Sequence, residues 1–322
     1  MTYSSAGLIQ ATDYNGFAST TSGANVNDLW ATGSGDKGWG QSALATVSAG
    51  GTVTATNWAS LVNTISSMGS QTNTTITARS APTTGTLIAI LAALNTDLTN
   101  ITTNRNNAVG TGTQFTGWSG TNSKTTAPAA GAFTITFTNT VTFASAAAAR
   151  YFFNGGGRIK LDYSKTATGN LGDPEWNDLA NTLCGDIYFT GAAASKTIAG
   201  TAYTGTTKVG GTGTPTTLST ATGYYALVAG AAATIIYKQF ADTAPYTSNY
   251  IQTTVALDAT SAILTFVTTW VQTDADPISG GTASSGATPG TAPTTICTYF
   301  PPSTTYLTSA SWGTPTVAAT TV

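Results

Sequence analysis

Apolar residues recur at helical spacing in the first third of the chain and at every second position through most of the rest. Tyr14 and Phe17, continued by Val26 and Leu29, mark a first helix with Thr12 as its N-cap, with Gly16 and Gly23 as weak points. Trp58, Leu61, Val62, Ile65 and Met68 share one face of a second helix, opened by Thr56 and ended by Gly69. In LIAILAALNTDLTNITTNRNNA, the residues Leu87, Leu91, Leu94, Leu98 and Ile101 step by four, three, four and three, the spacing of a coiled-coil seam. No charged pairs flank them. The stripe therefore reads either as a core face packed on the preceding helices or as an intermolecular seam, in which case these five residues are assembly residues.

Beyond FTGWSG the period changes to two. GAFTITFTNTVTFAS alternates Phe133, Ile135 and Phe137 with threonine and is expected to shift register before Val141 and Phe143. Further strands are expected at RIKLDY, DIYFTG, YYALVAG, TIIYKQFA, YIQTTVALD, AILTFVTTWVQTD and TTICTYF. Helices interrupt them at SAAAARYFF and at GDPEWNDLANTLCGD, the latter with Asp173 as N-cap, Pro174 in the first helical position and Gly185 at its end. AGTAYTGTTKVGGTGTPTTLSTATG and DADPISGGTASSGATPGTAP read as long polar loops. The pattern predicts an α+β chain: a helical assembly module over 1–110, then an antiparallel β-sandwich over 111–322.

Gly155, Gly156 and Gly157, next to Arg158, resemble a phosphate loop only superficially. That loop needs a strand before the glycines and a Lys-Ser/Thr pair opening a helix after them, whereas here a helix precedes and a strand follows. The triplet predicts a structural turn, with Arg158 paired locally.

Composition sharpens the picture. Only 7% of the 322 residues are charged, the net charge is −2, and Thr, Ser, Asn, Gly and Ala fill the places charges would take. A surface of that kind has little self-repulsion and suits a protein packed into an assembly. The charge balance argues against a nucleic-acid partner, and no apolar run reaches the roughly 20 residues of a membrane span. The N-terminal segment carries no secretory signature, so Cys184 and Cys297 are expected to be free thiols.

Candidate chemistry is sparse. The chain has no histidine, which excludes serine and cysteine triads and histidine-bound metals. Glu175, its sole glutamate, lies beside Asp173 and Asp178 at a helix start, where capping and the helix dipole account for all three. Asp274 and Asp276 in TDADP could hold a calcium ion with loop carbonyls but lack the full calcium-loop spacing and read as a turn. Asp36 and Lys37 read as solvent-facing turn residues, and Trp39 and Trp118 read as core plugs, with sugar stacking the alternative. Nothing indicates a cofactor.

The blocks ATDYNGF, LWATGSGDKGWGQ, VSAGGTVTATNWASLVNTI, ARYFFNGGGRIKLDY, GDPEWNDLANTLCGDIYF and APYTSNYIQTTVALD resemble, in order, the virion structural proteins of contractile-tailed cyanophages. The chain departs from that pattern at SSMGSQTNTT, where a histidine-containing segment is expected, and in its C-terminal segment. The resemblance implies a non-enzymatic virion protein assembled in the host cytoplasm, and together with the low charge, the heptad-like stripe and the long loops it points to a tail or neck appendage or fibre component. Its implied partners are other virion proteins and further copies of itself. A host-surface polysaccharide adhesin and a capsid decoration protein are the alternatives.

Overall fold

The computed structural model describes residues 10–19, 24–84, 93–109, 119–123, 132–166, 173–192, 194–273, 278–279, 282–283 and 293–321. The N-terminal segment folds as helices α1 (Ala11–Ser19), α2 (Val26–Trp30), α3 (Ala55–Gln71) and α4 (Leu94–Thr103). The first expected helix is therefore two short ones, the second opened by its own cap, Asn25, which is extended and accepts the Asp28 N–H at 3.0 Å. Thr12 lies inside α1, and it is Asp13 that reaches back to accept the Gln10 N–H at 2.9 Å. In α3 the cap is Thr54, not Thr56: its hydroxyl accepts the Asn57 N–H while the Asn57 side chain accepts the Thr54 N–H, a reciprocal capping box. Gly69 does not stop α3. It sits within the helix because a Cβ there would come within 3.0 Å of the Ile76 side chain, so its smallness serves close packing.

The strands are β1 (Ser119–Ser123), β2 (Phe133–Thr142), β3 (Arg158–Ser164), β4 (Asp186–Phe189), β5 (Lys196–Ile198), β6 (Thr201–Tyr203), β7 (Thr206–Val209), β8 (Thr217–Leu218), β9 (Thr234–Phe240), β10 (Tyr250–Leu257), β11 (Ile263–Gln272), β12 (Ile278–Ser279), β13 (Thr282–Ala283), β14 (Thr294–Phe300) and β15 (Thr316–Thr321). They form a five-stranded sheet, β1-β14-β3-β4-β7, and a six-stranded sheet, β15-β2-β11-β10-β9-β8, with the small hairpins β5-β6 and β12-β13. All strand pairs in these sheets are antiparallel among the described residues.

The two large sheets pack face to face. Phe189 of β4 meets Phe266 of β11 edge-on at 5.4 Å, and Tyr163 of β3 stacks on Tyr237 of β9 at 5.9 Å. The Tyr163 hydroxyl also reaches Thr253 of β10 at 2.7 Å, so a buried phenol finds its partner across the sandwich. The sandwich-containing α+β architecture matches the sequence pattern.

Three local expectations fail. β2 is one straight strand paired in unbroken register with β11, and Asn139, fully buried, simply occupies the inner-face position between Phe137 and Val141. YYALVAG forms a 3₁₀ turn, Tyr224–Ala226, followed by loop, with Val228 71% exposed. The first long loop is partly structured, since it supplies β6, β7 and β8. The second lies mostly outside the described residues.

Helix α5 (Ala146–Asn154) links β2 to β3. Ser145 caps it by accepting the Ala148 N–H at 3.1 Å, and it buries Phe152 and Phe153 against Phe143, Phe189 and Tyr224. A single apolar cluster runs from Tyr14, Trp58 and Leu98 through Phe152 to Trp270. The core is thus continuous across residue 110.

Candidate functional site

The predicted structural turn proves to be a junction. The last carbonyls of a helix lack intrahelical donors. At the end of α5, three different segments supply them. Lys196 Nζ from β5 donates to the carbonyls of Phe153 at 2.6 Å and Asn154 at 3.3 Å; Trp39 Nε1 donates to Asn154 O at 3.2 Å; and Gln71 Nε2 from α3 donates to Gly155 O at 3.1 Å. The Asn154 amide donates outward to the carbonyls of Lys37 and Gly38, both at 3.0 Å, and accepts from the Tyr225 hydroxyl at 2.6 Å. An ammonium at the negative end of a helix dipole is favourably placed. Burial nevertheless pushes Lys196 down to about 7, against the upward pull of Asp36.

Two glycines of the triplet are required by space. Gly156 has φ +106°, and a Cβ on it would lie 2.6 Å from that of Ala108; a Cβ on Gly157 would lie 2.6 Å from the Phe152 ring. Gly155 is the C-cap of α5. Arg158 is buried on the outer face of the five-stranded sheet, beneath hairpin β5-β6. Its guanidinium lies 4.9 Å from the ring centre of Phe300, 5.2 Å from Tyr203 and 5.8 Å from Tyr188. The partners anticipated for it are thus aromatic faces, a cation–π box that offsets part of its desolvation.

The proposed assembly stripe is divided. Ala93 adopts φ +64°, a left-handed conformation an α-helix cannot continue through, so α4 starts at Leu94 and the expected helix over Leu87–Ile101 is not continuous. Leu94, Leu98 and Ile101 are fully buried in the chain's own core. Leu87 and Leu91 lie outside the described residues, as do Trp118, Asp274 and Asp276.

The glycine-dense segment before Trp39 also differs from a solvent turn. Lys37 pairs with Asp28 of α2 at 2.7 Å, and Asp36 pairs with Arg105 after α4, so the turn is braced from both sides. Trp39, 1% exposed, plugs the core.

Nucleophilic chemistry is weak here. Cys184 and Cys297 are free and buried, and burial pushes both thiols up to about 12, far from a reactive thiolate. The sequence reasoning missed a convergence of Glu175, Asp178 and Asp242, whose carboxylate oxygens come within 4.8 Å of one another. Asp242 is remote in sequence, so no local signal announced it. The helix itself begins with Asp173 already inside α6 (Asp173–Asp178) and continues as a π-helical segment, Leu179–Cys184.

The two outer sheet faces differ in charge. That of the five-stranded sheet carries Lys160 between Asp162 and Asp186, at 3.4 Å from each. On the six-stranded sheet, β2 presents Thr134, Thr136, Thr138, Thr140 and Thr142, and β11 presents Ile263, Thr265, Val267, Thr269 and Val271 directly opposite. Among its outward strand positions only Lys238 is charged, and it lies over the rings of Tyr250 and Phe240 at 3.7 and 4.5 Å. No helix among the described residues is long and apolar enough to cross a membrane. Comparison of the chain with protein-family models, curated proteins and solved structures finds no match in any of the three.

Proposed function

We propose that the chain is a non-enzymatic structural component of a phage particle, an appendage or fibre protein of the tail or neck. The observation that carries this reading is the outer face of the six-stranded sheet, a threonine and valine surface with Lys238 as its one charge. Such a face has a single charge, Lys238, to desolvate when it packs against a neighbour, and its hydroxyls can exchange water for protein partners at little cost. The chain's resemblance to cyanophage virion proteins supports the same reading, as does the lack of histidine.

The test places charges on that face without disturbing the fold. Thr136 and Thr269 are direct cross-strand neighbours, so Thr136→Lys combined with Thr269→Glu gives an opposite-charge pair that the sheet tolerates. The double variant is expected to fold normally by circular dichroism yet to be excluded from particles assembled in its presence. Incorporation equal to that of the unaltered chain would refute the assignment of this face.

A further inference from the structure

We propose that Glu175, Asp178 and Asp242 form a calcium site that clamps α6 onto the turn following β9. One carboxylate oxygen from each lies within 4.8 Å of the other two. The chain has only 13 acidic residues, and several others have found a base: Asp28 pairs with Lys37, Asp36 with Arg105, Asp97 with Arg79, and Asp162 and Asp186 share Lys160. In this trio, carboxylates face each other. Like charges so close repel unless a proton or a cation joins them.

A second observation points to a ligand. Glu175 is 8% exposed, and its Oε1 has no hydrogen-bond partner, while Asn249 is 2% exposed with neither side-chain polar atom partnered. Buried oxygens of this kind are costly unless something occupies them. Asn249 is at this end of the sandwich: its carbonyl accepts the N–H of Ala241, the residue before Asp242, at 2.9 Å. Its alternation with Ile251 puts it on the inner face, next to the position where Ile251 opposes Trp270. Trp176 stacks on Trp270 at 5.6 Å, which brings the Glu175–Trp176 turn of α6 over the same end of the sheet.

The donors select the ion. Three carboxylates are hard oxygen ligands, with no sulfur or imidazole in the group, and calcium accepts about 6–8 such oxygens, including waters, in flexible geometry. Asp242 is exposed, leaving an entry path and room for water. Without a cation, burial and the charges of Asp178 and Asp242 raise the Glu175 pKa, outweighing hydrogen bonds from Thr243. A bound cation reverses that balance and keeps Glu175 ionised.

Trp176, adjacent in sequence to Glu175, makes the site directly observable with terbium as a calcium mimic. Full-length protein is titrated with Tb³⁺ while the tryptophans are excited. Sensitised terbium emission is expected, displaced by Ca²⁺ and far less by equal Mg²⁺. Calcium at a hundred times its dissociation constant should also lower the unfolding constant about a hundredfold. Both effects should be lost in Asp242→Asn, whose side chain is exposed, and in the isosteric Glu175→Gln. Absence of sensitised emission in the unaltered protein would overturn the proposal, and so would emission and stabilisation that persist in both folded variants.

Discussion

Lys196 offers a measurement with a sign that burial alone dictates. The residue is 3% exposed, and its ammonium donates to the carbonyls of Phe153 and Asn154. In the unfolded chain a lysine titrates near 10.4, about its ordinary value. In the fold, desolvation brings Lys196 to about 7. Between those values the unfolded state binds a proton that the folded state does not. Stability therefore rises with pH, by about tenfold in the unfolding constant per unit once the folded-state pKa is passed. The buried thiols work in the opposite sense. Held up to about 12 in the fold, Cys184 and Cys297 lower stability once unfolded thiols ionise above about 8.5. The clean window thus runs from about pH 7 to about pH 8.5. Lys196→Met removes the titrating group and keeps an unbranched side chain. Urea unfolding at several pH values in that window should show the unaltered protein gaining about fifteenfold, roughly 1–2 kcal/mol, relative to the variant. Parallel curves would refute the reasoning and mean that the helix-end carbonyls hold the ammonium charged.

Further perturbations separate the other contributions. Gly156→Ala combines a disfavoured φ of +106° with a 2.6 Å contact to Ala108 and should cost more than about 2 kcal/mol in urea unfolding. Gly50→Ala, with φ +78° and nothing within 4 Å, should cost only the conformational part, so equal losses would contradict the steric argument. Leu98→Ala should lose about 2–5 kcal/mol with the solution mass unchanged, because Leu98 faces the chain's own core. A fall in mass by light scattering would restore the seam. Asp258 closes the β10–β11 turn by accepting the Thr260 hydroxyl and the N–H groups of Thr260, Ala262 and Ile263, and these bonds, the hydroxyl first, hold its carboxyl down to about 2. Its contribution is therefore full above the ordinary carboxylate range and lost as pH falls through about 2, so Asp258→Asn should be destabilising at neutral pH and converge with the unaltered chain in acid.

Much of the fold was legible because strands with one buried face leave an alternation that a reader can count. β3, β10, β11 and β14 follow it almost residue by residue. Elements whose partners lie far away left weaker traces. β7 contains only TTKV and acquires strand character by pairing with β4, while the apolar YYALVAG gains no alternating partner: Tyr224 stacks on Phe153 and its hydroxyl donates to Ser261 O at 2.8 Å. Glycine misled in both directions. At Gly69 it permits a close approach inside a helix, whereas the break in the leucine stripe falls at Ala93, which composition gives no reason to suspect. The junction at α5 was half visible. Its glycines announced a turn, but Lys196, Trp39 and Gln71 are joined to it only by the tertiary fold. The same holds for Asp242 beside Glu175.

The central claim is that this chain is a stoichiometric part of a particle. Quantitative mass spectrometry of gradient-purified phage particles from infected cells that express it tests this most directly. The account predicts that the polypeptide co-sediments with infectious particles at a fixed copy number per genome and survives a salt wash, as a charge-poor packing surface requires. Its recovery only in the soluble lysate, with none in the particle fraction, would contradict the account.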